Sequence, residues 1–174
     1  MKSPVKWLSD FAYAASTPAI KALAWADSQV GVREKPKGSN HGPEVKEYLL
    51  SVGLPQGHPW CAAGAYWCCL KAGIKPSNLP EKRSAAAVRN WRAWAFATSR
   101  NRATPERGRL GYWINQNGTG HIFFCASKSV LGIIRTIEFN TDGEEGSREG
   151  HGVYKRTRTM LGLKRRHAHG FFDL

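Results

Sequence analysis

Three short blocks carry residue types that can do nucleophilic chemistry. Cys61 follows Pro59-Trp60 and opens the strongly helical run CAAGAYWCCLKA. A thiol at a helix N-terminus faces unpaired backbone N–H groups and the positive end of the macrodipole, and both stabilise a thiolate. The same N–H groups can hold an oxyanion that forms beside the sulfur. Next comes Gly118-Thr119-Gly120-His121, in which a glycine turn leads a histidine into the apolar run HIFFCAS. A histidine at a strand start lies on a rim, where an imidazole can reach a helix end. Then comes Ile137-Glu138-Phe139-Asn140-Thr141. Glu138 and Asn140 are two apart, so an unbroken strand points both to one face and Phe139 to the other. A carboxylate or amide there can accept an imidazole N–H and fix the ring. The chain order Cys, His, Glu/Asn is that of a thiol nucleophile, its base and an orienting group.

The elements that must position these residues are readable from periodicity. Helices are predicted over 18–32, with Pro18 in the first turn, over 45–52, over 61–72 ending at Gly73, and over 84–98 with Ser84 as N-cap. The segments between the first three, REKPKGSNHGP and GLPQGHPW, read as loops, and 99–109 reads as a basic loop. From there the pattern changes to short aromatic and β-branched segments: 111–115, 121–127, 130–140, 152–158 and 169–174. Breaks fall at or near Gly118, Gly132, Asp142-Gly143 and Gly150. Helices first and antiparallel strands after predict an α+β domain over 18–174, preceded by an extension over 1–17.

Composition narrows the function classes. The chain of 174 residues is long enough for one core, and 41% hydrophobic residues with seven tryptophans exclude a disordered chain. It holds no apolar run of membrane-spanning length. Lysines and arginines number 26 against 13 acidic residues, a net charge of +13 that favours polyanionic partners. The excess concentrates between Lys82 and Arg109 and again between Lys155 and His169. Cys61, Cys68, Cys69 and Cys125 show no metal-ligand spacing and form a poor disulfide framework. They read as reduced, with Cys68, Cys69 and Cys125 as core residues. Asp10, Pro18 and Lys21 interrupt the start, so no classical signal peptide is expected, and synthesis in the cytoplasm is. Arg89 and Arg92 interleave with Trp91 and Trp94. That is compatible with single-stranded nucleic acid, but a basic binding module leaves the Cys, His and Glu blocks unexplained. The tryptophans are expected in the core.

Taken together, SQVGVREKPKGSNHGPEVKEYL, GLPQGHPWCAAGAYWCCLKAG, GHIFFCAS, TIEFNTDG, HGVYKRTR and the closing GFFDL resemble the CHAP family, the cysteine- and histidine-dependent amidohydrolases and peptidases of the papain-like superfamily. The resemblance runs from about residue 20 to the end of the chain. It implies a six-stranded antiparallel sheet packed by helices, and cleavage of amide bonds in bacterial peptidoglycan. Carried over, Cys61 is the nucleophile, His121 the base, and Glu138 and Asn140 the orienting pair, with Glu138 as the direct partner. Gln56 or the loop around Asn40 would supply a second oxyanion donor. Trp60 would pack beside the nucleophile or meet substrate, and His58 would shape the entrance. Many relatives read EGNT where this chain has Glu138-Phe139-Asn140-Thr141, and an Asp often stands where it has Arg109-Leu110-Gly111. Some relatives carry an acidic calcium loop; here GSNHGPEVKE predicts no metal and no cofactor. The setting implied is a phage endolysin or, as the alternative, a delivered antibacterial effector. Either would be monomeric, act at the cell wall and be drawn to the anionic envelope by its charge.

Overall fold

A computed structural model describes residues 17–142 and 150–174. The reading of residues 1–17 as an extension lies, all but Thr17, outside these residues, as does the break at Gly143. Five α-helices and six strands are present among the described residues: α1 (Pro18–Ser28), α2 (Pro43–Ser51), α3 (Cys61–Lys71), α4 (Val88–Ala97), β1 (Asn101–Arg102), β2 (Leu110–Ile114), β3 (Gly120–Cys125), β4 (Ile133–Thr141), β5 (Gly152–Thr159), α5 (Met160–Lys164) and β6 (Ala168–Phe172). The expected α+β layout is therefore present. No helix among the described residues is long and apolar enough to cross a membrane.

The strands form one antiparallel sheet in the order β1-β6-β2-β3-β4-β5. Consecutive strands β2 to β5 are neighbours, as short connections favour. The last strand instead returns to lie between β1 and β2. The main core lies between the helices and one sheet face, where Tyr48, Trp60, Tyr66, Trp91, Phe124, Phe139 and Phe172 are wholly or almost wholly buried. A smaller cluster of Phe123, Cys125, Ile134, Leu163 and Phe171 occupies the opposite face, with Trp113 and Met160 against it.

Several elements differ from expectation for local reasons. The first helix stops at Ser28 rather than 32, because Gly31 takes a left-handed φ of 104° and Arg33 bridges to Gly152 instead. The fourth helix is split. Ser84–Ala86 is a 3₁₀ turn, Ala87 is extended, and the α-helix begins at Val88. Ser84 is thus not its N-cap. Trp91 Nε1 donates to Ala85 O at 2.8 Å and the Asn90 amide donates to Ser84 O at 2.8 Å, fastening the turn to the helix that follows. Trp91 is wholly buried, whereas Trp94 is half-buried beneath Arg100. The basic loop contains the short strand β1, and the basic stretch after β5 contains α5.

Close approach between α3 and the sheet depends on one residue. A Cβ on Gly64 would lie 2.2 Å from the Phe139 ring, so only glycine lets β4 press on the helix one turn after Cys61.

Candidate active site

The first turn of α3 begins at Cys61, with Trp60 as the preceding half-turn residue and no side chain capping the helix. A Ser, Thr, Asp or Asn at that place would occupy the free N–H groups. Trp60 leaves them for the sulfur and for an incoming oxyanion. Cys61 is 8% exposed. Burial would push its thiol up, but the His121 ring and the N–H groups of Ile122 and Ala62 outweigh burial and hold the thiol below its ordinary value. The other three cysteines are free, buried and pushed up by burial alone or chiefly so.

His121 is the second residue of β3, and its Nε2 lies 3.0 Å from Glu138 Oε2. With Nε2 committed to the carboxylate, Nδ1 is the nitrogen left for the Cys61 sulfur. Burial alone would lower the imidazole, yet the hydrogen bonds and charges of Cys61 and Glu138 raise it to about 9. The two opposite shifts favour proton transfer from the thiol to the imidazole.

Glu138 is fully buried on β4 and has every oxygen engaged. Arg158 donates from Nε to Oε1 at 2.8 Å and from a terminal nitrogen to Oε2 at 2.5 Å. Thr136 Oγ1 donates to Oε1 at 2.6 Å. Burial opposes the charge, but Arg158 and His121 hold the carboxyl far below the usual carboxylate range. Trp113, on β2, lies against the imidazole with ring centroids 4.6 Å apart and carries the Arg158 guanidinium 5.0 Å from its own centroid. Arg158, Thr136 and Trp113 were not singled out by sequence reasoning. In the sequence Arg158 is one charge of the basic run from Lys155 to His169. The available signal was its place in β5, an alternating strand antiparallel to β4, from which a long side chain can reach Glu138.

Asn140 does not join Glu138. The expectation that both face the imidazole assumed an unbroken strand, and β4 is bulged between Glu138 and Thr141. Asn140 takes a left-handed φ of 51°, which asparagine tolerates better than most residues. In the amide orientation that satisfies both neighbours, its NH₂ donates to Gly150 O at 2.7 Å and its oxygen accepts from the Trp60 N–H at 3.0 Å. Asn140 therefore ties β4 to the residue before the nucleophile and does not orient His121. Phe139 does point away from Glu138, into the core beside Tyr48 and Trp60.

Trp60 cannot contact a substrate, since it is completely buried. Its ring stacks on Tyr48 at 5.6 Å, and its Nε1 donates to Glu34 Oε1 at 2.7 Å. The other oxygen of Glu34 accepts from the Asn40 N–H at 3.0 Å. Asn40 O in turn accepts from the Gly57 N–H at 3.0 Å. Asn40 thus acts through its backbone, clamping the loop before α2 to the loop before α3. Buried Glu34, the hub of that clamp, was not foreseen. Gln56 Oε1 accepts from the Gly42 N–H at 2.9 Å, which fixes the amide. His58 is exposed on the same loop.

This arrangement can hold a thiolate, protonate a leaving group and steady the imidazole that does so. No family model, curated protein or solved structure matches the chain.

Proposed function

We propose that the protein is a cysteine amidohydrolase with a CHAP-like, papain-like fold that cleaves an amide bond of bacterial peptidoglycan. The observation that carries this reading is the Cys61–His121–Glu138 relay, in which a lowered thiol, an imidazole raised to about 9 and a saturated buried carboxylate stand in sequence. A buried carboxylate this heavily compensated has little structural reason to face an imidazole that faces a thiol.

The chemistry follows from the groups in place. Cys61 thiolate attacks the amide carbonyl and forms a C–S bond, while the carbonyl pair moves onto oxygen. The Cys61 backbone N–H, at the uncapped start of α3, is the donor for that oxyanion, and Gln56 is the candidate for a second. As the C–N bond breaks, imidazolium His121 gives its proton to the departing amine. Neutral His121 then takes a proton from water, whose oxygen attacks the thioester and releases a carboxylic acid and Cys61. Glu138 keeps the ring oriented and stabilises its charged form throughout.

Peptidoglycan as substrate is supported by the sequence resemblance and by the charge of +13, which concentrates a protein on an anionic wall. A phage endolysin is the setting favoured, with a delivered effector of the same chemistry as the alternative. Isolated cell walls provide the test. The unaltered chain should clear them and liberate new amino groups, and Cys61→Ala and His121→Ala should each leave only background release. Equal clearing by both variants contradicts the assignment.

A further inference from the structure

The leaving amine of any substrate must lie on the imidazole side of Cys61, because His121 delivers its proton. Against the His121 ring stands Trp113, and the surface beside Trp113 is basic and concave. Arg158 and Arg166 both lie over the Trp113 ring, at 5.0 Å and 5.3 Å from its centroid. A cavity of about 180 Å³ opens there, with Trp113, Arg158, Leu163 and Arg166 among its walls. Arg166 also lines a second, wider cleft of about 590 Å³, shared with Asn115, Gln116, Asn117, Arg165 and His167. The two spaces therefore meet at one guanidinium.

Donors dominate this cleft. Arg166 spends one N–H group on Asn115 Oδ1 at 3.2 Å, and its planar fork has further donors to offer. The run from Lys155 to His169 contains no acidic residue. Nearby, burial chiefly, and the Lys164 ammonium in addition, hold His169 below its ordinary value. Arg165, Arg166 and His167 are exposed. Two guanidinium groups and several amides around an open cleft suit a planar anion held by paired hydrogen bonds.

We propose that this cleft is a carboxylate-binding subsite for the leaving half of a peptide substrate. The inference rests on the hydrolase reading above and specifies which end of the substrate is recognised. A linear, uncross-linked peptide released as an amine carries a carboxylate at its other end. A phosphate has no comparable place in amide cleavage. Trp113 links the subsite to the chemistry, since one ring contacts both Arg166 and His121.

Calorimetry on the full-length Cys61→Ala chain tests this without turnover. The probes are a peptidoglycan stem peptide with a free C-terminal carboxylate, its C-terminal amide, and inorganic phosphate. The free acid should bind about tenfold tighter than the amide, and the preference should shrink to about twofold or less when Arg165→Gln or Arg166→Gln is added. Arg165 makes the second variant useful, because its exposed side chain can be changed without disturbing Trp113. Equal binding of acid and amide, binding of neither, a preference that survives both substitutions, or tighter binding of phosphate would each overturn the subsite. Wall clearing by the unaltered chain is scored separately. Clearing without a carboxylate preference removes the subsite and leaves the hydrolase reading standing, whereas a chain that clears no walls removes that reading itself.

Discussion

Four cysteines share this fold, all free and all buried, yet only Cys61 has its thiol lowered. The difference lies in neighbours rather than burial: an imidazole and two N–H groups face Cys61, while burial dominates at Cys68, Cys69 and Cys125. The pH profile follows. Catalysis needs imidazolium as acid, so activity should fall as pH rises through about 9, where His121 loses its proton. Rates of wall clearing between neutrality and strong base check this. Arg158→Met removes two donors from a fully buried carboxylate and should cost about 3–5 kcal/mol in denaturant unfolding. It should also move the alkaline limb upward, because a less compensated Glu138 holds the His121 proton more tightly; a downward move contradicts this role. Stability has an acid limit too. Glu138 sits below its ordinary value of 4.5, so its contribution is complete above that pH and is lost as pH falls further. Melting temperatures of the unaltered chain should drop across that acid range, and a Glu138→Gln variant should show a flatter profile. At this scale the reactive types were legible, because a helix-start cysteine and a strand-start histidine depend on local sequence. Arg158 was not, since only β-pairing with β4 turns it from surface charge into a ligand of Glu138.

Elements position these residues through two close approaches. Gly64 lets Phe139 lie against α3, and Gly64→Ala would place a methyl carbon 2.2 Å from that ring. Overpacking there should cost about 3 kcal/mol. Thermal unfolding checks it, with a fall of about 6–12 °C expected for a domain of this size. The second approach is the bulge of β4, which turns Asn140 to the Trp60 N–H and away from His121. Asn140→Ala should lower kcat while leaving the alkaline limb near 9 unchanged, because it releases the start of α3 without touching the imidazole. A shifted limb would instead mean that Asn140 acts on the ring. Period-two reasoning put Asn140 beside Glu138, and it failed because one left-handed residue reverses the facing. The split before α4 has a similar origin. Ala-rich sequence reads as helix, but two side-chain hydrogen bonds to Ser84 O and Ala85 O favour a tight turn.

For the whole molecule, helices first and strands after predict the α+β layout, and the sheet carries six antiparallel strands. The insertion of β6 between β1 and β2 had no sequence signal, because strand order depends on long-range pairing rather than local pattern. Charge was legible as a total but not in its division. Arg102 and Arg109 both pair with Asp173, at 2.6 Å and 2.7 Å, and Lys155 pairs with Asp27 at 2.7 Å. The remaining excess still leaves a strongly basic surface. Binding to isolated walls should therefore weaken steeply between about 0.05 and 0.5 M salt as the screening length shrinks. Retention that ignores salt would assign wall affinity to specific contacts instead.

The activation of Cys61 by His121 is tested most directly by the pH dependence of its alkylation. Iodoacetamide modification at Cys61, followed by peptide mass spectrometry, should half-titrate below the ordinary thiol value of 9.0. In His121→Ala the half-point should rise to or above that value, since burial then acts with less to oppose it. A thiol in the unaltered chain that reacts only near pH 9, or whose profile is the same with and without the imidazole, would contradict the thiolate–imidazolium pair and the hydrolytic chemistry built on it.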